Sequence, residues 1–84
     1  MYYVYILKCA DKTLYTGITT DLKRRVVEHN STNLGAKYTA SRRPVKLVYS
    51  KKFKNRSTAS KAEFEIKTLT RPAKFELIKT QKLF

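Results

Sequence analysis

Two tyrosines ten residues apart, Tyr5 and Tyr15, an arginine and a histidine one helical turn apart, Arg25 and His29, and a single later glutamate, Glu63, are the side chains here whose types and spacing could do chemistry. Familiar catalytic sets drop out. The chain has no phosphate-cradling glycine loop, no two-histidine metal motif and no paired-aspartate cluster for two metals. What remains is sparse: Tyr5, Tyr15, Arg25, His29 and Glu63.

Each of the five has a plainer reading beside the chemical one. Glu63 can give one carboxylate to a magnesium ion that keeps most of its waters and takes phosphate oxygens as further ligands. It also closes a capping-box pattern, Ser60-Lys61-Ala62-Glu63, in which it would only bind backbone N–H groups. Arg25 can hold a phosphate with a bidentate fork that lysine cannot copy, whereas the usual helix arginine is solvated. His29 can orient water or shuttle a proton, and a lone histidine near a helix C-terminus is more often a cap on the helix dipole. Tyr5 can serve as general base or hold water together with Tyr15. A free phenol titrates at about 10, so ionisation at neutral pH needs nearby cations, with Arg25, a metal and Lys8 as candidates. Strand tyrosines are ordinarily packing residues.

These residues need elements to position them. Tyr2 to Cys9 is rich in β-branched and aromatic residues, and after Ala10-Asp11-Lys12-Thr13 the pattern resumes at Leu14, which predicts a β-hairpin. If opposed residues sum to an even number, as across a three-residue turn, Val4, Ile6, Leu14 and Ile18 share one face and Tyr5 and Tyr15 the other. A two-residue or four-residue turn would separate the tyrosines. Asp21, or Thr20 before it, is a good N-cap for a helix to about Asn30, with Leu22 and Val26 facing the core and Arg25 and His29 stacked on one stripe.

Ser31 to Pro44 reads as a loop with a short helix near Ala36 to Ala40. Val45, Leu47, Tyr49 and Phe53 alternate with polar or basic positions, broken only by Val48, and predict a third strand with lysines on its wetter side. Ser57 or Ser60 opens the next helix, with Ala59, Ala62, Ile66 and Leu69 at helical spacing to about Thr70. Pro72 closes it and suits the first turn of a last helix through Phe75, Leu77 and Ile78. The fold class is therefore α+β, a small antiparallel sheet flanked by helices in the order β-β-α-(α)-β-α-α, in one domain over residues 1–84.

Nineteen Lys and Arg against six Asp and Glu give a formal charge of +13, which calls for a polyanionic partner. Nucleic acid leads, because neutralised phosphates release condensed counterions. No strongly apolar helix face stands opposite a basic one, and Tyr2 to Leu7 is too short to span a bilayer, so a soluble, cytoplasmic protein without a membrane partner is expected, with nucleoid association compatible. Cys9 is the single cysteine, which leaves no internal disulfide and no cysteine-based zinc site. Lys37, Arg42, Arg43, Lys51, Lys52, Lys54 and Arg56 are candidate phosphate contacts, which position rather than specify. Tyr38 is a candidate to stack or hydrogen-bond at the substrate cleft.

Several ordered motifs together resemble the GIY-YIG nuclease family over nearly the whole chain. They are Tyr3-Val4-Tyr5, then Tyr15-Thr16-Gly17, Leu22-Lys23-Arg24-Arg25 and His29-Asn30, followed by Tyr38-Thr39, Arg42-Arg43-Pro44 and Glu63-Phe64-Glu65-Ile66-Lys67. The later motifs are similar to those of the small stand-alone bacterial members. One departure is visible: Tyr3 stands where the first motif has its glycine. The resemblance implies a three-stranded antiparallel sheet flanked by helices and a metal-dependent nuclease of the restriction, homing, repair or recombination kind. It also implies Tyr5 and Tyr15 as the two motif tyrosines, Arg25 and His29 as the functional helix residues, and Glu63 as the ligand of one Mg2+ or Mn2+ ion.

The expectation is a structure-selective endonuclease linked to repair or recombination, with nucleic acid as partner and DNA ranked ahead of RNA. Two alternatives stand beside it: a nucleic-acid-binding module without turnover, and a subunit active only with a protein partner.

Overall fold

In the computed structural model, which describes residues 1–31 and 37–80, the order of elements is the expected one. They are β1 (Tyr2–Lys8), β2 (Leu14–Thr19), α1 (Leu22–Ser31), α2 (Lys37–Ala40), β3 (Lys46–Phe53), α3 (Arg56–Lys67) and α4 (Arg71–Thr80). Ala36, the proposed start of the short helix, lies outside the described residues. The strands form one antiparallel sheet in the order β2-β1-β3, so the strand that carries Tyr5 is central and hydrogen-bonded on both sides.

The hairpin register follows from its turn. Cys9 N–H donates to Thr13 O and Lys12 N–H to Cys9 O, each at 2.9 Å, which closes a loop over Ala10, Asp11 and Lys12. Lys12 adopts a positive φ of 68°, the left-handed residue that a three-residue hairpin loop requires. Pairing then runs Val4 opposite Ile18, Tyr5 opposite Gly17 and Leu7 opposite Tyr15. Side chains alternate across the sheet, so this register sends Val4, Ile6, Leu14 and Ile18 to one face and Tyr5, Leu7 and Tyr15 to the other.

Each face has its own core. The first is closed by Tyr49, Ala59 and Ile66, with Ala62, Leu77 and Ile78 packed against them, so α3 and α4 cover it. The second gathers Tyr5, Leu7, Cys9 and Val45 under Leu22 and Val26 of α1. Asp21 caps α1 as expected, its Oδ1 accepting the Arg24 N–H at 3.1 Å.

Three local expectations are corrected. The third strand does not keep one phase: its pairing with β1 shifts between Ile6 and Leu7, placing Tyr49 opposite Ile6 but Leu47 opposite Leu7. Val48 is the extra residue, a β-bulge that puts Leu47 in the α1-side core and Tyr49 in the α3-side core. The cap of α3 is Asn55, not Ser57 or Ser60; its side chain accepts the Thr58 N–H at 2.9 Å. Last, α3 stops at Lys67, before Thr70. Thr68 ends it, with its hydroxyl turned back onto Glu65 O at 2.7 Å, and Pro72 falls in the first turn of α4.

Because Asn55 fixes where α3 begins, it also fixes the helical phase of Glu63. Asn55→Ala should lower stability by about 1 kcal/mol, read as a lower urea midpoint with an unchanged m-value. An unchanged midpoint would show that the cap contributes nothing.

Candidate active site

Tyr5 is the centre of the site because its partner on β2 carries no side chain to block it. Its cross-strand partner is Gly17, and a Cβ built there would meet the Tyr5 hydroxyl oxygen at 2.6 Å and the ring carbon bearing it at 2.8 Å. The glycine therefore lets the Tyr5 ring lie across β2 and carry its hydroxyl towards α1. Tyr5 is 1% exposed, and buried hydroxyls need partners. It has them: the oxygen lies 3.0 Å from His29 Nε2, and it accepts a hydrogen bond from the Arg25 guanidinium.

The α1 stripe supplies both of these partners. Arg25 and His29 are four residues apart and face the sheet, while Arg24 turns outward with its side chain 65% exposed. Glu28 accepts from Arg25 Nη1 at 2.9 Å. Burial pushes the Arg25 pKa down, but its bonds to Glu28 and Tyr5 outweigh this and hold the guanidinium charged. His29 is fully buried, with Nδ1 2.8 Å from Thr39 Oγ1 and its ring 5.2 Å from that of Tyr15. Burial first, and then the charge of Arg25, lower its pKa from 6.5 to about 4. His29 is thus a neutral core imidazole, and the helix-dipole reading does not apply to it.

Burial also dominates at Tyr5. It raises the phenol pKa to about 12 even though Arg25 pulls the other way, so Tyr5 carries its proton at neutral pH. The downward shift expected from a nearby cation is present but loses to desolvation. Lys8 cannot add to it, since it projects from the opposite face, 6.0 Å from the Phe75 ring. Tyr15 stands 6.4 Å from Tyr5, ring to ring, and 5.8 Å from the exposed Tyr38.

Glu63 approaches from α3, on the other side of the sheet. It sits in the interior of that helix, so the capping-box reading falls; its recorded partner is Lys67, 3.2 Å away. The carboxylate is near enough for its charge to raise the Tyr5 pKa further, the smallest of the influences on that phenol. Among the described residues no three His, Cys, Asp or Glu side chains form a metal cage. A half-buried carboxylate is a hard oxygen donor, which suits a magnesium or manganese ion that retains its waters.

The basic candidates divide. Arg42 and Arg43 are engaged inside the fold: Arg42 Nη1 donates to Tyr38 O at 2.9 Å, its guanidinium covers the Tyr38 ring at 4.2 Å, and its Nε lies 3.0 Å from Asp11. Arg43 Nε donates to His29 O at 2.6 Å. Lys51, Lys52, Lys54 and Arg56 are exposed at one end of the sheet. Pairing with Tyr3 puts Lys52 on the Tyr5 face, whereas Lys51, paired with Val4, is on the other. Lys37 opens α2, and its side chain lies outside the described residues. Sequence reasoning gave no role to Gly17, Thr39 or Asn30. Gly17 was readable from the register, opposite Tyr5. Asn30 and Thr39 stand in the motifs His29-Asn30 and Tyr38-Thr39, but nothing local shows that the Asn30 amide accepts from Val45 N at 2.7 Å and donates to Val45 O at 3.1 Å, or that Thr39 reaches His29.

Residues 1–76 match the GIY-YIG catalytic domain, and the chain belongs to that family of nucleases. Its relatives include UPF0213 proteins, small stand-alone members of the family. One from Desulfotalea psychrophila is 56% identical over 78 residues, covering 93% of this chain and 71% of the relative. The solution NMR structure of an E. faecalis protein is 49% identical with a TM-score of 0.64, covering 94% of this chain and 83% of that one. That of a UPF0213 protein from Bacillus halodurans is 43% identical with a TM-score of 0.63, covering 96% and 86%.

The buried imidazole predicts a pH dependence. Its pKa is 6.5 unfolded and about 4 folded, so the unfolded chain binds the extra proton first. Stability should fall as pH drops from about 6.5 to about 4, with roughly 3 kcal/mol at stake. Urea unfolding across this window should show a shallower slope for His29→Gln; equal slopes would contradict the assignment.

Proposed function

We propose that the protein is a divalent-metal-dependent endonuclease that hydrolyses phosphodiester bonds in DNA. One observation carries the reading: the Tyr5 hydroxyl is where two strands and two helices meet, touching His29 and Arg25, near the Tyr15 ring, and within reach of the Glu63 charge. Nucleases of this family generally use divalent metals, and a nuclease acts on nucleic acid.

The residues divide the work by their chemistry. Arg25 is fixed in its charged form and offers a planar donor fork to the scissile phosphate, where negative charge grows in the transition state. Tyr5 and Tyr15 hold and orient the attacking water; with its proton in place, Tyr5 acts by hydrogen bonding rather than as a standing phenolate. His29, neutral and bonded to Tyr5, steadies that hydroxyl. Glu63 would hold the metal after releasing Lys67, whose exposed side chain can swing aside. Once bound, the ion would supply Lewis-acid neutralisation of phosphate charge.

Lys52, on the Tyr5 face, and the exposed Lys54 and Arg56 lie where a flanking backbone could run, with Lys51 on the opposite face farther from it, and such contacts read phosphate position rather than base sequence. This favours substrates recognised by shape, such as branches, flaps, nicks or single strands, which is the recognition that repair and recombination use.

Purified protein with Mg2+ or Mn2+ should cleave plasmid or branched DNA. Glu63→Gln should reduce cleavage by about a hundredfold or more with binding retained, and Arg25→Lys should do the same at saturating metal. Binding of DNA and RNA without cleavage of either would overturn the enzyme reading and leave a binding module.

A further inference from the structure

Thr39 is the buried residue that the proposed reaction leaves without a role. It is fully buried, as is His29, and Tyr5 is nearly so; the three form one chain of contacts, Tyr5 hydroxyl to His29 Nε2 at 3.0 Å and His29 Nδ1 to Thr39 Oγ1 at 2.8 Å. Its hydroxyl comes from α2, far along the chain from both tyrosine motifs, and several bonds hold it in place. Arg42 N–H donates to Thr39 O at 3.0 Å, Arg43 clamps the His29 carbonyl, and Asn30 clamps Val45.

Hydrogen-bond bookkeeping decides the direction of this chain. A guanidinium has donors and no acceptor, so Arg25 can only donate to the Tyr5 oxygen. The Tyr5 proton then needs an acceptor of its own, and His29 Nε2, buried with it and 3.0 Å away, is the acceptor the geometry places there. A neutral imidazole that accepts at Nε2 carries its hydrogen on Nδ1, which must donate to Thr39 Oγ1.

We propose that Thr39 is a positioning residue: by accepting the Nδ1 hydrogen of His29 it fixes the tautomer that accepts the Tyr5 proton, leaving a lone pair of the Tyr5 oxygen free to face the attacking water. The opposite tautomer would aim two donors at the phenol oxygen and turn its proton into the substrate space. The effect on cleavage rests on the nuclease reading; the tautomer itself does not.

Nitrogen-15 correlation spectra of the His29 ring in the labelled full-length protein, at neutral pH and without metal or DNA, read the tautomer directly. The Nδ1–H form is expected. Thr39→Val, which keeps the shape and removes the hydroxyl, should lose that single tautomer and slow plasmid cleavage by at least about tenfold with DNA binding intact. Thr39→Ser should keep both. An Nε2–H wild type would overturn the proposal, as would a valine variant with tautomer and rate unchanged. If the valine variant does not fold, the wild-type spectrum and the serine variant still decide. An Nδ1–H signature that depends on Thr39, in a protein that cleaves nothing, would uphold the positioning role and sink the nuclease reading instead.

Discussion

The hydrogen bond between the Tyr5 hydroxyl and His29, made inside the core, is the constraint around which the rest of the molecule is arranged. Burying a phenol and an imidazole together costs desolvation free energy unless each polar atom is matched. Gly17 makes room for the ring, α1 brings the imidazole and the guanidinium on a single stripe, and α2 brings Thr39 to the far nitrogen. Desolvation sets the protonation of both rings, keeping Tyr5 a phenol and His29 uncharged. A neutral pair of this kind arranges hydrogen bonds, and standing positive charge at the site is left to Arg25.

The two-faced sheet explains how so short a chain builds such a site. The central strand gives alternate residues to two cores, one under α1 and one under α3. The proposed functional groups then come from opposite sides: Arg25 and His29 from the helix above, and Glu63 from the helix beneath. The bulge at Val48 lets a single edge strand serve both cores. The hairpin turn does more than set register, because Asp11 in that turn holds Arg42, and Arg42 in turn covers Tyr38 beside Tyr15.

What could be read from the sequence was what depends on near neighbours. The even sum of opposed residues put Tyr5 and Tyr15 on one face, and the cap at Asp21 set the phase that aligns Arg25 with His29; both hold. A single Val48 inside an alternating pattern looks like noise, although it marks the bulge. Ser57 and Ser60 compete in the sequence as caps with Asn55, and with Asn55 as the cap the Ser60–Glu63 pattern lies inside the helix and caps nothing. The environment of His29 was not readable at all. It depends on Thr39, ten residues on, across a segment with no periodic signal. Arg42 and Arg43 looked like surface cations because their bonds to the hairpin turn and to the α1 carbonyl are contacts between distant parts of the chain.

The central proposal is spatial: Glu63, from beneath the sheet, acts on the same phosphate and metal as Tyr5, Tyr15 and Arg25. Paramagnetic line broadening by Mn2+ in NMR spectra of the labelled protein tests it most directly. The account predicts broadening centred on Glu63, Tyr5, Tyr15 and Arg25 that disappears in Glu63→Gln. Broadening centred on Glu65 or Glu76 instead, or unchanged by the substitution, would contradict it.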